Sequence, residues 1–489
     1  MALSDLHDTW TGNLFLDGAF RPPRQAKTLR VRDKATGETF ASVGRADADD
    51  VDVAVRSAAA AQPRWAAESY EIRAGVLRTA AALLRERAET LIDLIMRETG
   101  SIRGKAEYEV HAAGNELHEA AALSSRATGE ILPSGSVTRV SFTERVPVGV
   151  VAVLTPWNFP LVLGMRVIAP ALALGNAVVL KPSPETPLIG GMALAELFAD
   201  AGAPAGALQV LVGQEDVGQA LVAHPEVSMV HFTGSSAVGR LIAREAGSLL
   251  KRVSLELGGN NALIVLDDAD VEVAAMIGAW SAYHYQGQTC ITAGRHIVAR
   301  PLFDRYTRAL AERAAAIRVG NTVTEEVGLG PMINTRQRDR AHRLLSESIA
   351  LGAVVIEGGT YEGAFYRPTV VTDVTPEMPL WREEIFAPIA PVIAVDDEEQ
   401  ALELTNDTDY GLVNAVLTAD ADRGLRFARR VRSGMVHVND ATCLDEAHVP
   451  FGGLGASGLG GRSGGDANLT EFTEQRWISL QRGAVEYPY

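Results

Sequence analysis

Hydrophobic positions along the chain follow two alternating patterns, most regularly from residue 148 onward. Short runs rich in β-branched residues, such as VGVVAVL (148–154) and NALIVL (261–266), have the length and composition of buried strands. Between such runs lie stretches with helical periodicity, for example 161–174 and 237–247. Because strands that alternate with helices form βαβ units, we expect an α/β fold with a doubly wound, mainly parallel sheet.

The alternation occurs twice, which predicts two α/β units. After Cys290 the chain again contains helical stretches and strand-like runs, including AVVIEGG (353–359), APVIAV (390–395) and GMVHVND (434–440). The segment GSVTRVSFTERVPVG (135–149) alternates polar and apolar residues, as a projecting hairpin does. A hairpin of this length has no core of its own, so we expect it to pack on a partner subunit.

Composition narrows the class of protein. The 489 residues carry a formal net charge of −16, which argues against nucleic acid or an anionic membrane as a partner. No apolar run approaches the roughly 18 residues of a membrane span, and the first residues do not resemble a signal peptide. Two cysteines support neither a disulfide framework nor a cysteine-based metal site. We therefore expect a cytoplasmic protein without a metal ion.

One of those two cysteines lies in an unusual setting. Cys290 ends the run QGQTC, at the junction between the two predicted units. A free cysteine is most often a small buried hydrophobic residue. However, ligand clefts form where domains meet, so a nucleophilic thiol is the second interpretation.

Polar residues at the ends of predicted strands offer further candidate chemistry. Asn158 in TPWNFP is either an amide donor for an oxyanion or a helix cap, and Lys181 in KPSPETP is either a ribose or phosphate ligand or a surface lysine. FTGSSAVGR has Gly234 and Gly239 at the outer spacing of a dinucleotide fingerprint, but its middle glycine is missing. Glu256 in LELGG would have a raised pKa and act as a general base if buried, or would face water at the strand end.

The order of these motifs resembles one family. TPWNFP, ALALGNAVVLKPS, FTGS followed by VG, LELGGN, QGQTC, EEIFAPI and PFGGLGASGLG occur in the order found in the NAD(P)-dependent aldehyde dehydrogenases, over nearly the whole chain. RVPVGVVAVL, GQTCITAGRH and the HVND…DEA region look most like the branch that oxidises benzaldehyde and vanillin. The resemblance implies oxidation of an aldehyde, aromatic by this likeness, to the carboxylic acid through a cysteine thioester. An aliphatic aldehyde or semialdehyde is the alternative substrate.

The resemblance also implies an architecture. It predicts a Rossmann-type NAD(P)-binding domain from 1–130 and 147–257, an α/β catalytic domain from 258–450, and a small β oligomerisation element from 131–146 and 470–489. A homodimer or homotetramer is expected. NAD is the expected cofactor, with some use of NADP.

Roles for individual residues follow from the same resemblance. Cys290 corresponds to the nucleophile, Glu256 to the general base and Asn158 to the oxyanion donor. The expected cofactor-binding residues are Trp157, Lys181, Ser183, Gly234, Ser235, Gly239, Leu257, Glu384 and Phe386. The expected substrate pocket contains Arg166, Tyr283, His284, Thr289, Ile291, Cys443 and Leu444.

The chain departs from the family pattern at two informative positions. Pro184 stands where NAD-preferring relatives commonly carry a glutamate that binds the ribose and repels a 2′-phosphate, and Glu185 lies one position later. Arg166 stands where the family often has an aromatic residue, and it either binds a ring substituent or forms a structural salt bridge.

The sequence leaves three alternative functions to be considered. A relative that transfers the acyl group to coenzyme A generally lacks the base at Glu256. A catalytically silent binding protein would not need Cys290, Glu256 and Asn158 together. A cysteine hydrolase would have to use His284, six positions before Cys290, as its base.

Overall fold

The computed structural model describes residues 9–126, 128–485 and 487–489. In this part of the chain the strands form two large sheets and three small ones. In spatial order, the first large sheet contains the strands Ala19–Arg21, Leu14–Leu16, Leu208–Val210, Ala177–Lys181, Val150–Leu154, Met229–Thr233, Arg252–Glu256 and Gly458–Leu459.

The five consecutive strands from Leu208–Val210 to Arg252–Glu256 run parallel and form the core of this sheet. The chain enters this core at Val150–Leu154, adds two strands on one side, and then crosses to Met229–Thr233 on the other. The order of strands therefore reverses beside Val150–Leu154. In doubly wound sheets the crevice at such a reversal, at the carboxyl ends of the strands, is where ligands bind.

Helices pack against this sheet, whose central strands Val150–Leu154 and Ala177–Lys181 are buried along their whole length. In chain order the helices of the first unit are Ala48–Ala67, Tyr70–Glu86, Ala88–Thr99, Arg103–Leu123, Pro160–Ala173, the π-helical turn Leu188–Met192, Ala193–Asp200, Glu215–Ala223 and Ser236–Ser248.

The second large sheet forms the other unit. In spatial order its strands are Val354–Glu357, Thr369–Thr372, Ile389–Val395, Ala293–Ala299, Asn261–Val265, Val413–Leu417 and Met435–Val438. All its pairings are parallel except that of Val354–Glu357, at one edge. The helices and helical turns of this part are Val271–Tyr283, His284–Gly287, Arg300–Ala316, Thr335–Ala350, Pro379–Arg382, Glu398–Asn406, Ala421–Ala428, Gly455–Ser457 and Ala467–Glu471. The chain passes from the first sheet to the second between Glu256 and Asn261.

A small antiparallel sheet joins two segments that are distant in sequence. Strand Arg139–Pro147 pairs with Thr473–Gln481 along its whole length and with the two-residue strand Ile131–Leu132 on its other side. Two further antiparallel pairs complete the strands, Thr28–Arg32 with Thr39–Gly44 and Tyr361–Glu362 with Phe365–Tyr366.

The fold is the predicted α/β type with two mainly parallel sheets. The helix expected over 161–174 is Pro160–Ala173, and the strand expected in 261–266 is Asn261–Val265. Over the residues described, no helix is both long and apolar enough to cross a membrane.

The glycine-rich segment 450–465 forms an ordered loop against the first sheet. Gly458–Leu459 pairs with Arg252–Glu256, and Phe451 pairs with Ser463. A Cβ atom added at Gly452 would lie 2.8 Å from Oε1 of Glu256. The glycines therefore let the backbone cover the end of the strand that carries Glu256.

Candidate active site

The backbone before Cys290 adopts an uncommon conformation. Tyr285, Gln286 and Gly287 all have positive φ angles, of 49°, 55° and 65°. Left-handed non-glycine residues cost on the order of 1 kcal/mol or more each, and they persist only where their surroundings hold them. Here the Tyr285 hydroxyl donates to Thr99 O at 3.2 Å, and Gln286 Nε2 donates to Gly100 O at 3.1 Å. The segment preceding Cys290 is thus fixed to the first unit.

The Cys290 main chain is held from the second unit as well. Asn261 Nδ2 donates to the carbonyl oxygens of Cys290 at 2.8 Å and of Thr292 at 2.7 Å. A Cβ atom at Gly287 would lie 2.3 Å from the Ala387 carbonyl oxygen, so only glycine fits there. The position of the thiol is therefore determined by a rigid loop rather than by its own contacts.

The protein environment keeps the Cys290 thiol protonated. Burial raises its pKa above the usual range, and the carboxylates of Glu384 and Glu256 raise it further. Cys290 as a whole is half-buried. These surroundings therefore favour the neutral thiol over the thiolate.

Glu256 and Cys290 line the same small cavity. Glu256 ends the strand Arg252–Glu256, and only 6% of its surface is exposed. Burial raises its pKa to about 8, partly offset by Arg462 and Arg166. A carboxyl group with such a pKa is a suitable general base near neutral pH. The alternative that Glu256 faces water is wrong.

Asn158 follows the strand Val150–Leu154, and its side chain does not cap the next helix. The first N–H groups of helix Pro160–Ala173 instead bind Glu109 Oε1, with Leu161 N at 2.8 Å. Asn158 Oδ1 is buried and has no hydrogen-bond partner among the described residues. The side chain is therefore not used as a helix cap, and its Nδ2 amide group is the part that would have to donate to an oxyanion.

A buried ion pair holds the Asn158 backbone. Lys105 Nζ contacts Glu109 and donates to Asn158 O at 2.8 Å. The same ammonium lies 4.3 Å from the centre of the Phe159 ring and 4.4 Å from that of Tyr285. One buried cation thus joins the Asn158 loop to the Cys290 loop.

Lys181 lies at the carboxyl end of its strand and is almost fully buried. Its ammonium makes one long contact, 3.5 Å to Pro182 O, and burial lowers its pKa to about 8. A buried cation without a close acidic partner fits a ligand that supplies oxygen atoms, such as a ribose. The surface-lysine alternative is wrong.

The turn after Lys181 directs Glu185 away from this position. Ser183 Oγ accepts from Glu185 N at 3.2 Å. Glu185 binds Lys34 Nζ at 2.6 Å and accepts from Asn334 Nδ2 at 2.9 Å. Its carboxylate is therefore engaged elsewhere and does not replace the glutamate missing at Pro184.

The strand Met229–Thr233 leads into the start of helix Ser236–Ser248. Ser235 is its N-cap, with Oγ accepting from Val238 N at 3.4 Å. A Cβ atom at Gly239 would lie 2.5 Å from the Leu257 side chain, and one at Gly234 would lie 2.4 Å from Phe232. These glycines allow close packing of the helix on the strand ends. The helix N-terminus they position is suited to a phosphate group.

The second unit contributes Glu384 and Phe386 to the same region. Glu384 Oε1 accepts from Gly259 N at 3.0 Å, and burial raises its pKa to about 7. Phe386 has a φ of 56° and contacts Trp157 edge-on, with ring centres 5.4 Å apart. The aromatic contact connects residues from both units beside the cleft.

Arg166 is engaged in a buried salt bridge. It binds Glu116 at 2.8 Å and Asp445 at 2.5 Å, and it lies over the Phe451 ring at 5.0 Å. Arg166 lines both the cavity that holds Cys290 and a surface groove that includes Leu444 and Asp445. The salt-bridge interpretation is confirmed, and the residue stands where the groove and the cavity meet.

The other predicted pocket residues divide into two groups. Leu444 lines the groove, Thr289 and Ile291 flank Cys290 in sequence, and Cys443 Sγ lies 3.5 Å from Ile291 O. Tyr283 instead packs in the core of the second unit, where its hydroxyl donates to Thr369 O at 3.2 Å. Its assignment to the pocket is wrong, because the last turn of helix Val271–Tyr283 directs it into the core.

His284 contacts aromatic rings. Its ring centre lies 4.4 Å from Trp280 and 6.2 Å from Phe159. Burial and the charge of Lys105 lower its pKa to about 4. Among the described residues no acidic side chain is bonded to the imidazole to orient it as a base, which counts against the cysteine-hydrolase hypothesis.

Sequence reasoning missed the residues that hold this site together. They are Lys105, Glu109, Asn261, Tyr285 and Gln286. Lys105 and Glu109 have the spacing of an ordinary exposed helix pair, so nothing in the sequence separates them from surface residues. Over the described residues, no cluster of three or more His, Cys, Asp or Glu side chains is placed to hold a metal ion.

Comparison with known proteins agrees with this geometry. The profile described as "Aldehyde dehydrogenase family" matches residues 20–478. The chain belongs to the aldehyde dehydrogenase family. It is 47% identical to a vanillin dehydrogenase from an Amycolatopsis species, over 99% of each chain. It is also 47% identical to a benzaldehyde dehydrogenase [NAD(+)] from Pseudomonas putida, over 98% of each.

A solved structure shows the same fold. Betaine aldehyde dehydrogenase from Staphylococcus aureus, in complex with NAD+, superposes with a TM-score of 0.96 at 30% identity, covering 99% of this chain and 98% of that one. The family and the expected fold are thereby confirmed, and the chain is an aldehyde dehydrogenase.

The buried side chain of Asn158 gives the first testable prediction. Replacing Asn158 with Ala removes one oxyanion donor, so kcat should fall by roughly two to three orders of magnitude. Nucleotide affinity, measured by fluorescence titration, should change little. Asn13→Ala, which removes a surface amide bonded to Thr9 O, is the control and should keep parental kcat. An Asn158→Ala enzyme with parental kcat would exclude this residue from the oxyanion site.

Proposed function

We propose that this aldehyde dehydrogenase oxidises aromatic aldehydes, such as benzaldehyde, hydroxybenzaldehydes or vanillin, to their carboxylic acids with NAD+. The observation that carries this proposal is the single cavity lined by Cys290, Glu256 and the Phe451 ring. The relatives that are vanillin and benzaldehyde dehydrogenases, at 47% identity, support the same substrate class.

The first chemical step forms a bond from sulfur to carbon. The Cys290 thiol gives its proton to a water molecule, and the thiolate attacks the aldehyde carbonyl carbon to give a thiohemiacetal. The negative charge that develops on the carbonyl oxygen is held by the Asn158 amide and the Cys290 N–H. When bound, NAD+ supplies a positive charge that favours the thiolate, and it accepts the hydride.

The second step breaks the sulfur–carbon bond. Once the hydride has left, Cys290 carries the acyl group as a thioester. The Glu256 carboxylate takes a proton from a water molecule, whose oxygen attacks the thioester carbon and displaces the thiolate. The acid is released, and Glu256 has to lose its proton before the next turnover.

Apolar side chains beside Cys290 can contact an aromatic ring. Leu163, Val167 and Phe451 line the small cavity at Cys290. Arg166 lies at its outer end, where its charge is balanced by Glu116 and Asp445. We propose that this cluster faces the ring substituent, so that hydroxyl and methoxy groups meet polar atoms while the ring lies against Phe451.

Substrate preference tests this arrangement. Benzaldehyde, hydroxybenzaldehydes or vanillin should have higher kcat/KM than acetaldehyde or hexanal, because the aliphatic chains cannot stack on Phe451. Phe451→Ala should lower kcat/KM for benzaldehyde about three- to tenfold more than for acetaldehyde, the range for one aromatic contact. Steady-state NADH formation measures both. A higher kcat/KM for an aliphatic aldehyde than for every aromatic one tried would contradict the proposal.

The described residues fit a dinucleotide. Lys181 offers a buried cation beside the strand ends, Ser235 opens a helix N-terminus, and Glu384 lies across the cleft. We propose NAD+ as the preferred cofactor, since the relative from Pseudomonas putida is a benzaldehyde dehydrogenase [NAD(+)]. Pro184 supplies no carboxylate, and Glu185 is bound to Lys34 and Asn334, so neither repels a 2′-phosphate.

The parent enzyme should therefore use NADP+ measurably, although less well than NAD+. Pro184→Glu places a carboxylate where it repels the 2′-phosphate, so it should lower kcat/KM for NADP+ more than it raises kcat/KM for NAD+. Pro184→Gln is the uncharged control and should lower NADP+ use much less. Complete failure of the parent to use NADP+ would show that another residue excludes the phosphate.

We propose that the small antiparallel sheet joins subunits into a homodimer or homotetramer. Its strand Thr473–Gln481 forms an edge of the sheet and carries Trp477, 67% exposed, and Leu480. Ile131 and Val140 on the neighbouring strands are also exposed. An apolar edge of this kind favours pairing with another chain, and a second copy of the same sheet would cover it.

Light scattering at micromolar concentration should give the mass of a dimer or tetramer. Trp477→Glu combined with Leu480→Glu should lower this mass, because charges replace apolar contacts at the edge. Leu351→Glu changes another exposed leucine, which lies outside the small sheet, and should leave the mass unchanged. A monomeric parent would contradict the proposed role of the sheet.

We also propose the cytoplasm as the compartment of this enzyme. Cys290 has to remain a reduced thiol to act as a nucleophile, and both Cys290 and Cys443 are free. Reducing compartments preserve such thiols.

A further inference from the structure

His231 is a buried histidine whose polar atoms have no partners. It lies in the strand Met229–Thr233 of the first sheet, with 2% of its surface exposed. Neither Nδ1 nor Nε2 has a hydrogen-bond partner among the described residues. Because buried polar atoms are nearly always hydrogen-bonded, either to protein or to ordered water, this side chain requires a partner.

The surroundings of His231 indicate where that partner lies. His231 lines the cavity that also contains Glu256, Cys290, Thr233 and Arg166. Its strand pairs in parallel with Arg252–Glu256, so that His231 is opposite Ser254 and Thr233 is opposite Glu256. Side chains two positions apart on a strand share a face, which places the imidazole and the Glu256 carboxylate on the same side of the sheet.

The imidazole of His231 also contacts an apolar residue. Its ring is stacked on Phe472, with centres 6.5 Å apart and planes 21° apart. The contact is between the two rings and provides no hydrogen bond to either ring nitrogen. The polar atoms of His231 are therefore available to the cavity.

Like His231, Glu256 has a buried polar atom without a hydrogen-bond partner among the described residues, its Oε2. The cavity has a volume of about 10 Å³, close to the space that a single water molecule needs. A water there would have His231 and Glu256 as polar partners, and buried waters typically have two to four.

We propose that His231 is a positioning residue for Glu256, holding a water molecule between its ring nitrogen and Glu256 Oε2. The inference rests on the proposed function, in which Glu256 activates the water that hydrolyses the thioester. The imidazole N–H donates to the held water, and the water donates to the carboxylate. A hydrogen bond to the charged form stabilises it, so His231 lowers the pKa of Glu256 relative to a cavity without this donor.

Burial and the charges around the cavity keep His231 uncharged, and the neutral imidazole can still donate a hydrogen bond to the held water. Burial and the nearby Arg166 lower the pKa of His231 to about 4, so the ring is neutral at working pH and keeps one N–H donor. Toward Glu256, the charges of Arg462 and Arg166 lower the pKa, whereas Glu471 and Asp445 raise it. Glu256 also adds to the raised pKa of the Cys290 thiol. The resulting pKa of Glu256, about 8, places its titration within a measurable range.

The test measures the hydrolysis of the acyl-enzyme directly. Each enzyme is mixed rapidly with benzaldehyde and NAD+ between pH 6 and 10 and quenched in acid, and the acylated protein is quantified by intact mass. The variants are His231→Leu and His231→Met, which remove the donor, and His231→Gln, whose amide N–H can still donate to the water. Val230→Ala is the structural control, because Val230 is a buried neighbour on the other face of the same strand.

In the parent, hydrolysis should rise with pH through about 8, because Glu256 acts in its ionised form above its pKa. In His231→Leu and His231→Met this rise should shift upward by about one pH unit, so hydrolysis at pH 7 slows about tenfold while acylation changes less than twofold. His231→Gln should restore the parental profile. Val230→Ala should lower the thermal midpoint without shifting the profile.

An unchanged pH profile in the Leu and Met variants would overturn the role of His231. An equal shift in Val230→Ala would overturn it too, since the effect would then come from packing. These results differ from a failure of the proposed function, in which the parent itself forms no acyl-enzyme from any aldehyde and the inference falls with it.

Discussion

The arrangement of the active site depends on one buried cation. Lys105, with 1% of its surface exposed, has its charge balanced by Glu109 and shared with the Asn158 carbonyl oxygen. Its ammonium also lies over the rings of Phe159 and Tyr285. Removing one partner of such a buried pair typically costs about 3–5 kcal/mol, because the other charge remains unpaired. This constraint fixes the Asn158 loop relative to the Cys290 loop.

The strained turn before Cys290 is maintained by the same part of the molecule. Thr99 and Gly100, just before the helix that carries Lys105, accept hydrogen bonds from Tyr285 and Gln286. From the other side, Asn261 holds the Cys290 carbonyl oxygen. Because these contacts come from both units, the thiol lies on a rigid junction. Preorganisation of this kind lets the site stabilise the transition state without rearranging.

Much of the fold could be predicted from the sequence, because the strands of the first sheet are continuous apolar runs such as Val150–Leu154. The candidate chemistry could be predicted from short motifs that lie in one segment each, including those of Cys290 and Glu256. The error at Tyr283 has a local cause. The residue ends helix Val271–Tyr283, and its ring packs in the core of the second unit. Motif position alone does not determine that direction.

The supporting contacts could not be predicted, because they join residues far apart in the chain. Lys105 and Asn158 are 53 positions apart, and Gln286 and Gly100 are 186 apart. The strand pairing that places His231 and Glu256 on one face likewise follows from the sheet and not from any motif. The raised pKa of the Cys290 thiol could not be predicted either, because Glu384 and Glu256 approach it only in the folded protein.

The proposed reaction passes through an acyl thioester on Cys290 that Glu256 helps to hydrolyse. It is tested most directly by mixing the Glu256→Gln enzyme with benzaldehyde and NAD+, quenching in acid and mapping the modified peptide by mass spectrometry. We expect a benzoyl group on the peptide that contains Cys290, formed together with one equivalent of NADH. The Cys290→Ala enzyme should carry no benzoyl group. A benzoyl group on the Cys443 peptide, or rapid turnover by Glu256→Gln without any acyl-enzyme, would contradict it.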